Sequence, residues 1–236
     1  MSRLVSVVIP AYNESRTVAS TARAARAGVE TCGFACEVVV VDDASADSTA
    51  AEAEAAGARV VRMARRSGKG VALTEGVMRA AGDIVAFLDA DLGESASEVR
   101  RLIPPIATGR ADMAIARFPG HSRGRGGLGA VKTLARIGIR CLCGLRMSAP
   151  ISGQRAARRE VLLRLAPFAG GFGVEVALTI DAARRGYRII EVDCDMRHRA
   201  TGLDIAGFIH RGRQLYWVAR ALAHRLVATP RGRAGR

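Results

Sequence analysis

The sequence predicts an α/β protein with a mainly parallel sheet, because short apolar runs alternate with longer helical segments from the first residues onward. Three of these runs, at 4–9, 37–41 and 83–88, are rich in Val, Ile, Leu and Phe and are bounded by turn residues. Their length and composition are typical of strands buried on both faces. A strand–helix alternation favours a doubly wound sheet, whose binding sites lie outside the carboxyl ends of the strands.

In the N-terminal half, each strand is followed by residues that can begin a helix. The strand at 4–9 stops at Pro10, after which Asn13, Glu14 and Ser15 can cap a helix. Ser45 or Asp47 can cap the second helix in the same way. The elements expected here are strands at 4–9, 37–41, 59–63 and 83–88, helices ending near 28, 57 and 81, and a helix from 94 to about 108 interrupted near Pro104 and Pro105.

The C-terminal half continues the pattern with more glycine and arginine. The segment 117–129 contains five glycines and three arginines, and it is either a loop that closes over a substrate phosphate or a surface loop. The last helix is basic and amphipathic, so it either packs on the domain or lies on an anionic bilayer. The other elements expected here are strands at 112–116 and 187–192, a short strand or turn leading into a helix at 151–162, and helices at 131–145 and from about 174 to 186.

Composition limits the class of protein. Hydrophobic residues make up 49% of the 236 residues, which is enough for a sizeable core. Residues 1–112 contain 13 Lys and Arg against 15 Asp and Glu, whereas residues 113–236 contain 23 against 7. The basic half suggests an anionic partner. Nucleic acid is not expected, because no recognised binding module is present and aromatic residues do not alternate with the arginines.

Cysteine usage and hydropathy predict a cytoplasmic protein. The five cysteines are odd in number and lack the spacing of a zinc site, so thiols in a reducing compartment are expected. No stretch has the apolar length of a membrane span, and the N-terminus lacks the pattern of a signal peptide. Peripheral contact with the inner face of the membrane is compatible with the basic C-terminal half.

The clearest chemical signal is Asp89-Ala90-Asp91, which directly follows the buried strand at 83–88. Two carboxylates separated by one residue at a strand end repel each other unless a cation lies between them. Oxygen ligands favour Mg²⁺ or Mn²⁺, which commonly bridge a protein to a phosphorylated substrate. The alternative is a polar loop in which one carboxylate caps the next helix.

Four motifs in order resemble family-2 glycosyltransferases: SVVIPAYNE, VVVVDDASADST, SGKGVALTEG and DIVAFLDADLGE. The resemblance implies the GT-A fold, a single Rossmann-like domain with a mainly parallel mixed sheet, and a UDP-, GDP- or dTDP-sugar as donor. It also implies that Asp89 and Asp91 hold the metal ion. The residues that would contact the nucleotide sugar are, by position, Pro10, Ala11, Tyr12, Glu14, Asp42, Asp43, Lys69, Asp89, Ala90 and Asp91.

The C-terminal half resembles the dolichol-phosphate-mannose-synthase-like group, whose S-G-x-R stretch matches 152–155 and whose R-x-x-G turn matches 199–202. This resemblance implies a polyprenyl phosphate as acceptor and inversion at the anomeric carbon. Glu175 is expected beside the site rather than as a strong base, since an ionised phosphate needs none. His198 is either a metal or diphosphate contact or a solvent-facing residue. The residues expected to bind the acceptor are Arg117, Ser152, Gln154, Arg155 and Arg199, and those expected to take part in transfer are Asp91, Arg117, Arg155, Glu175 and Arg199.

One departure from that group weakens the acceptor assignment. Many of its members carry Gln two residues after the D-x-D, where this chain has Gly93 followed by Glu94. A soluble phosphorylated acid or a glycan is therefore the alternative acceptor, and a non-catalytic nucleotide-sugar or nucleic-acid binder is the alternative of another class. The expected division is a catalytic domain at 1–203, with a nucleotide-sugar half (1–112) and an acceptor half (113–203), then a helix at 204–228 and a disordered tail at 229–236.

Overall fold

Seven strands form one mixed sheet in the computed structural model, which describes residues 4–119, 128–197 and 205–227. The strands are β1 (Leu4–Ala11), β2 (Ala35–Asp42), β3 (Arg59–Arg62), β4 (Ile84–Phe87), β5 (Met113–Arg117), β6 (Arg155–Arg158) and β7 (Ile189–Asp193). Their order is β3-β2-β1-β4-β6-β5-β7, and only β6 is antiparallel to its neighbours. This architecture confirms the predicted mainly parallel sheet.

Helices cover both faces of the sheet. They are α1 (Val18–Glu30), α2 (Thr49–Ala55), α3 (Lys69–Arg79), α4 (Ile103–Ala107), α5 (Leu128–Cys143), α6 (Arg159–Leu165), α7 (Val174–Arg184) and α8 (Ile205–Val227). The helix expected from 94 to 108 is a 3-10 helix at Gly93–Arg101 followed by the short α4. Pro104 lies in the first turn of α4, where its missing N–H would have had no partner within the helix.

The core consists of two layers, one on each side of the sheet. Val5, Val7 and Ile9 of β1 point towards α1 and α4, whereas Val8 points towards α3 and α7. All four side chains are fully buried. Because both faces of β1 are covered, its sequence is nearly continuously apolar, which is the signal that made this strand predictable.

Helix α8 packs on the second layer. Val218 and Leu222 are buried, and a side-chain atom added at Gly138 of α5 would lie 2.4 Å from the Leu222 side chain. The guanidinium of Arg225 binds the Asp181 carboxylate of α7, with 2.8 Å between Nε and Oδ1. Among the described residues, no helix combines the length and hydropathy needed to cross a bilayer. The predicted tail at 229–236 lies outside the described residues.

Candidate active site

The carboxyl ends of β1, β2 and β4 meet at one edge of the sheet. Ala11 pairs with Asp42 at the ends of β1 and β2. Phe87, at the end of β4, pairs with Arg155, which begins the antiparallel β6. The segments after β1, β2 and β4 and the segment before β6 are therefore neighbours, as expected for a binding site of an open α/β sheet.

The D-x-D turn is fixed by a threonine of α1. The Thr21 hydroxyl donates to the Ala90 carbonyl oxygen and accepts the Gly93 N–H, both at 2.9 Å. Ala90 is buried, whereas Asp89 and Asp91 are partly exposed at the sheet edge. The turn thus anchors its middle residue and presents its two carboxylates. No pattern around Thr21 indicated this role, because the contact spans 69 positions of the sequence.

Both carboxylate oxygens of Asp89 bind side chains of the protein. The Lys69 amine lies 2.7 Å from Oδ1, and the Gln154 amide donates to Oδ2 at 2.6 Å. Gln154 is 1% exposed, so its amide is in place to orient Asp89. The sequence predicted acceptor binding for Gln154. The structure places the Gln154 amide on Asp89, and acceptor binding by Gln154 stays a prediction.

Lys69 also pairs with Glu175, with 2.8 Å between Nζ and Oε1. Burial opposes the charged amine, but the Asp89 and Glu175 carboxylates outweigh it and raise the pKa of Lys69 above its ordinary value. The amine therefore stays protonated at neutral pH. The protonated amine therefore holds the Glu175 carboxylate beside Asp89.

Asp43 holds the loop that begins α3. Its two oxygens accept the N–H groups of Ser67 and Gly68, each at 2.7 Å, and the residue is 5% exposed. Gly68 has φ +90°, a conformation that glycine adopts without strain. Asp43 therefore sets the first turn of α3 and with it the backbone of Lys69.

The other residues predicted to hold the nucleoside line the same edge. The Arg66 guanidinium lies 3.9 Å from the centroid of the Tyr12 ring, a cation–π geometry. Asp42 is buried and accepts the Ser45 N–H at 3.1 Å. Pro10 and Ala11 are the last residues of β1, and the Glu14 N–H donates to the Thr49 hydroxyl at 2.8 Å. The structure thus brings the predicted nucleoside residues together.

Arg155 begins β6, and its side chain lies in the interior beside the sheet edge. It is 2% exposed, and its guanidinium donates to the carbonyl oxygens of Ser152 at 2.6 Å and Glu175 at 3.3 Å. Burial lowers its pKa to about 10. The side chain thus joins the turn before β6 to α7, and a role of Arg155 in guiding substrate phosphates stays a prediction. Ser152 is also buried, and its hydroxyl donates to the side-chain amide oxygen (Oε1) of Gln154 at 3.4 Å.

The remaining predicted arginines lie away from Asp89 or outside the described residues. Arg117 ends β5, and its guanidinium binds the Asp193 carboxylate of β7 through Nε and Nη2. In the sheet, β6 separates β5 from β4, so the structure does not join Arg117 to the Asp89 cluster. Arg199 and His198 lie outside the described residues. The described chain before them ends near the D-x-D: the Arg197 N–H donates at 3.0 Å to the hydroxyl of Ser95, which is four residues after Asp91 in the sequence.

The arrangement fits a divalent cation bound together with a diphosphate. Asp89 and Asp91 place two carboxylates at a partly exposed strand end, and Lys69 adds a positive charge beside Asp89. The described residues contain no cluster of three or more His, Cys, Asp or Glu suited to a metal ion. A two-carboxylate site is typical of Mg²⁺, which keeps several waters and binds substrate phosphates.

Comparison with known proteins points to one family. The model of glycosyl transferase family 2 matches residues 6–165. Glucosyl-3-phosphoglycerate synthase of Mycobacterium tuberculosis (strain CDC 1551 / Oshkosh) is 34% identical over 232 residues, covering 89% of this chain and 71% of that protein. The resemblance is therefore to family 2 as a whole, and not specifically to the dolichol-phosphate-mannose-synthase-like group.

Solved structures agree with this match. The crystal structure of the M. tuberculosis synthase in complex with Mn²⁺, uridine-diphosphate and phosphoglyceric acid has a TM-score of 0.77 and 31% sequence identity, covering 98% of this chain and 81% of that one. The structure in complex with Mg²⁺ and uridine-diphosphate also has a TM-score of 0.77, with 30% identity and coverage of 98% and 82%. The observed sheet is thus that of the GT-A fold.

Proposed function

Because the chain belongs to glycosyl transferase family 2, we propose that it transfers a sugar from a UDP-sugar to a soluble phosphorylated acid with Mg²⁺ or Mn²⁺ as cofactor. The relatives described above are glucosyl-3-phosphoglycerate synthases, and one holds UDP and phosphoglyceric acid in its crystal structure. This supports the soluble phosphorylated acceptor over the polyprenyl phosphate expected from the sequence. UDP-glucose and phosphoglyceric acid are the first substrates to test.

The observation that carries the proposal is the pair Asp89 and Asp91 at the end of β4, with the Lys69 amine 2.7 Å from Asp89. The two aspartates would hold the cation, which neutralises the departing diphosphate when it is bound. Lys69 would add a fixed positive charge on the same side of the donor. The bound cation and Lys69 would together face the diphosphate as it becomes negative.

The other residues would bind and orient the substrates. Tyr12, Asp42 and Asp43 would contact the nucleoside, and Asp43 also holds the loop that carries Lys69. Glu175 would stay bound to Lys69 and so limit the positions open to that amine. Inversion at the anomeric carbon remains a prediction from the family resemblance, and the anomeric proton coupling in the NMR spectrum of the product tests it.

Calorimetry tests the donor site directly. UDP, GDP and dTDP are titrated with and without Mn²⁺ into the wild type, Asp91→Ala and the control Glu160→Ala, whose carboxylate is 62% exposed on α6. We expect UDP binding that requires Mn²⁺, is lost in Asp91→Ala and is unchanged in Glu160→Ala. A folded wild type that binds none of the three nucleotides in the presence of Mn²⁺ contradicts the proposal.

An acceptor assay then separates the two acceptor classes. UDP-glucose is supplied with phosphoglyceric acid in buffer or with polyprenyl phosphate in detergent, and release of UDP is measured. Turnover with phosphoglyceric acid alone supports the proposal. Turnover only with the lipid restores the polyprenyl phosphate prediction and leaves the donor assignment intact.

A further inference from the structure

The chain contains a single tryptophan, Trp217, and its indole packs directly on a glycine turn. This turn, residues 170–173, immediately precedes α7. A Cβ atom added at Gly171 would lie 2.3 Å from the indole Cδ2, and one added at Gly173 would lie 2.5 Å from the Trp217 carbonyl oxygen. Such separations are far below van der Waals contact, so only glycine fits there. The glycine turn is thus shaped to the surface of α8.

The chain just before the glycine turn packs on the first turns of α3. A Cβ atom added at Gly70 would lie 1.9 Å from the Ala169 carbonyl oxygen. The Phe168 N–H donates to the Thr74 hydroxyl at 3.0 Å. The segment 168–173 is therefore held between α8 and the beginning of α3. Because Gly70 directly follows Lys69, this contact determines where the Lys69 backbone lies.

The glycine turn also determines where Glu175 lies, because Glu175 is the second residue of α7. Segment 168–173 therefore positions both partners of the Lys69–Glu175 ion pair: it packs on the start of α3, which carries Lys69, and it leads directly into α7, which carries Glu175. Helix α8 is itself held on α7 by the Arg225–Asp181 pair. The Arg184 guanidinium of α7 adds a bond to the Arg225 carbonyl oxygen at 2.8 Å. These bonds hold α8, the helix that carries the Trp217 indole, in place on α7.

We propose that Trp217 is a positioning residue for the donor site. Its indole fixes the glycine turn, which sets the distance between Lys69 and Glu175 and thereby aims the Lys69 amine at Asp89. Three of the four residues of the turn are glycines, so its conformation depends on outside contacts rather than on its own side chains. Truncation of the indole would leave a cavity into which the glycine turn can move. This inference rests on the proposed function.

The test compares Trp217→Ala, Trp217→Phe and the control Leu226→Ala, whose side chain is 70% exposed on the same helix. UDP affinity with Mn²⁺, kcat, KM and the thermal midpoint are measured for each. We expect kcat/KM to fall about tenfold or more in Trp217→Ala, since displacements of about 1 Å cost up to 10²-fold. Trp217→Phe keeps an aromatic ring against the glycine turn and should stay within about threefold of wild type. Leu226→Ala should be unchanged.

A double-mutant cycle separates positioning from general destabilisation. If Trp217 acts through Lys69, Lys69→Met will lose less activity in the Trp217→Ala background than in the wild type, because the losses are not additive. Additive losses, or a folded Trp217→Ala protein with wild-type constants, overturn the inference. If Trp217→Ala does not fold, Trp217→Leu takes its place in the cycle. A wild type that binds no UDP instead contradicts the proposed function itself.

Discussion

Gly153 gives the sharpest test of the Lys69–Asp89 pair, because the pair lies directly against this glycine, in the space that a larger residue's side chain would occupy. A Cβ atom added there would lie 2.7 Å from the Lys69 Nζ and 3.2 Å from Asp89 Oδ2. The backbone of Gly153 is not among those with positive φ, so alanine introduces no left-handed strain. The effect of Gly153→Ala therefore comes from this contact alone.

The size of the effect follows from the distances. Carbon and nitrogen need about 3.5 Å, so the amine must move by roughly 0.8 Å. Its hydrogen bond to Asp89, 2.7 Å long, would then lie at or beyond the usual limit. Because the amine is the end of a flexible side chain, we expect the unfolding free energy to change by less than about 1 kcal/mol. Misplacing the charge should lower kcat/KM by about 10- to 100-fold, or roughly 1.4 to 2.7 kcal/mol in activation free energy.

The assay is UDP release with the best donor–acceptor pair, alongside calorimetry with UDP and Mn²⁺ and urea unfolding. Gly212→Ala is the matched control, because Gly212 lies inside α8 and no atom beyond its chain neighbours and the backbone of its own helix lies within 4 Å of an added Cβ. That control should keep full activity and gain up to about 1 kcal/mol in stability from helix propensity. A Gly153→Ala enzyme with wild-type kcat and UDP affinity would refute the assigned role of the Lys69–Asp89 pair.

Three further predictions concern residues that hold the site or the sheet. Burial opposes ionisation of Asp112, but hydrogen bonds from Arg188 and the neighbouring positive charges keep its pKa below the ordinary value. Asp112→Asn should therefore lose about 2 kcal/mol of stability at pH 7, and the difference from wild type in urea unfolding should shrink as the pH falls below the ordinary pKa of an aspartate. Gln154→Leu removes the donor to Asp89 and should weaken Mn²⁺-dependent UDP binding about tenfold in calorimetry; unchanged affinity would contradict the orienting role. Arg155→Lys cannot bridge both carbonyl oxygens and should lower the unfolding free energy by about 1 to 3 kcal/mol, with an unchanged urea midpoint arguing against that bridge.

The parts of the fold that could be predicted are those whose residues satisfy a local rule. Strands β1, β2 and β4 are apolar because they are covered on both faces, so their ends were predicted to within about two residues. Strand β6 reads R-A-A-R and has no strand composition of its own, so the sequence left a strand or a turn open at 151–162. It forms because its antiparallel pairing with β4 and β5 satisfies its backbone, a condition that no local pattern shows.

The candidate site divides in the same way. Asp43, Lys69 and Asp89 each follow a strand or begin a helix in a motif, so their position at the sheet edge could be inferred. The bond from Gln154 to Asp89 spans 65 positions, and the contact of Trp217 with the glycine turn joins elements that the sequence places far apart. Such contacts depend on which helix packs on which strand. They could only be found once the packing of β6 and α8 was known.

Net charge was the least reliable guide to the acceptor, because many arginine side chains form hydrogen bonds or ion pairs with other residues of the same chain. In the basic half, five guanidinium groups of the described residues make internal contacts that are buried or partly buried. Arg155 and Arg184 donate to carbonyl oxygens, and the other three pair with Asp112 or Asp181. Those three are Arg158, Arg188 and Arg225. Such groups stabilise the fold and are less available to an anionic ligand or a lipid surface. The excess of Lys and Arg over Asp and Glu therefore overstates the positive charge that a substrate can meet. A small acid with one phosphate and one carboxylate needs only a few unengaged cations, so a basic half is as compatible with a soluble acceptor as with a membrane-bound one.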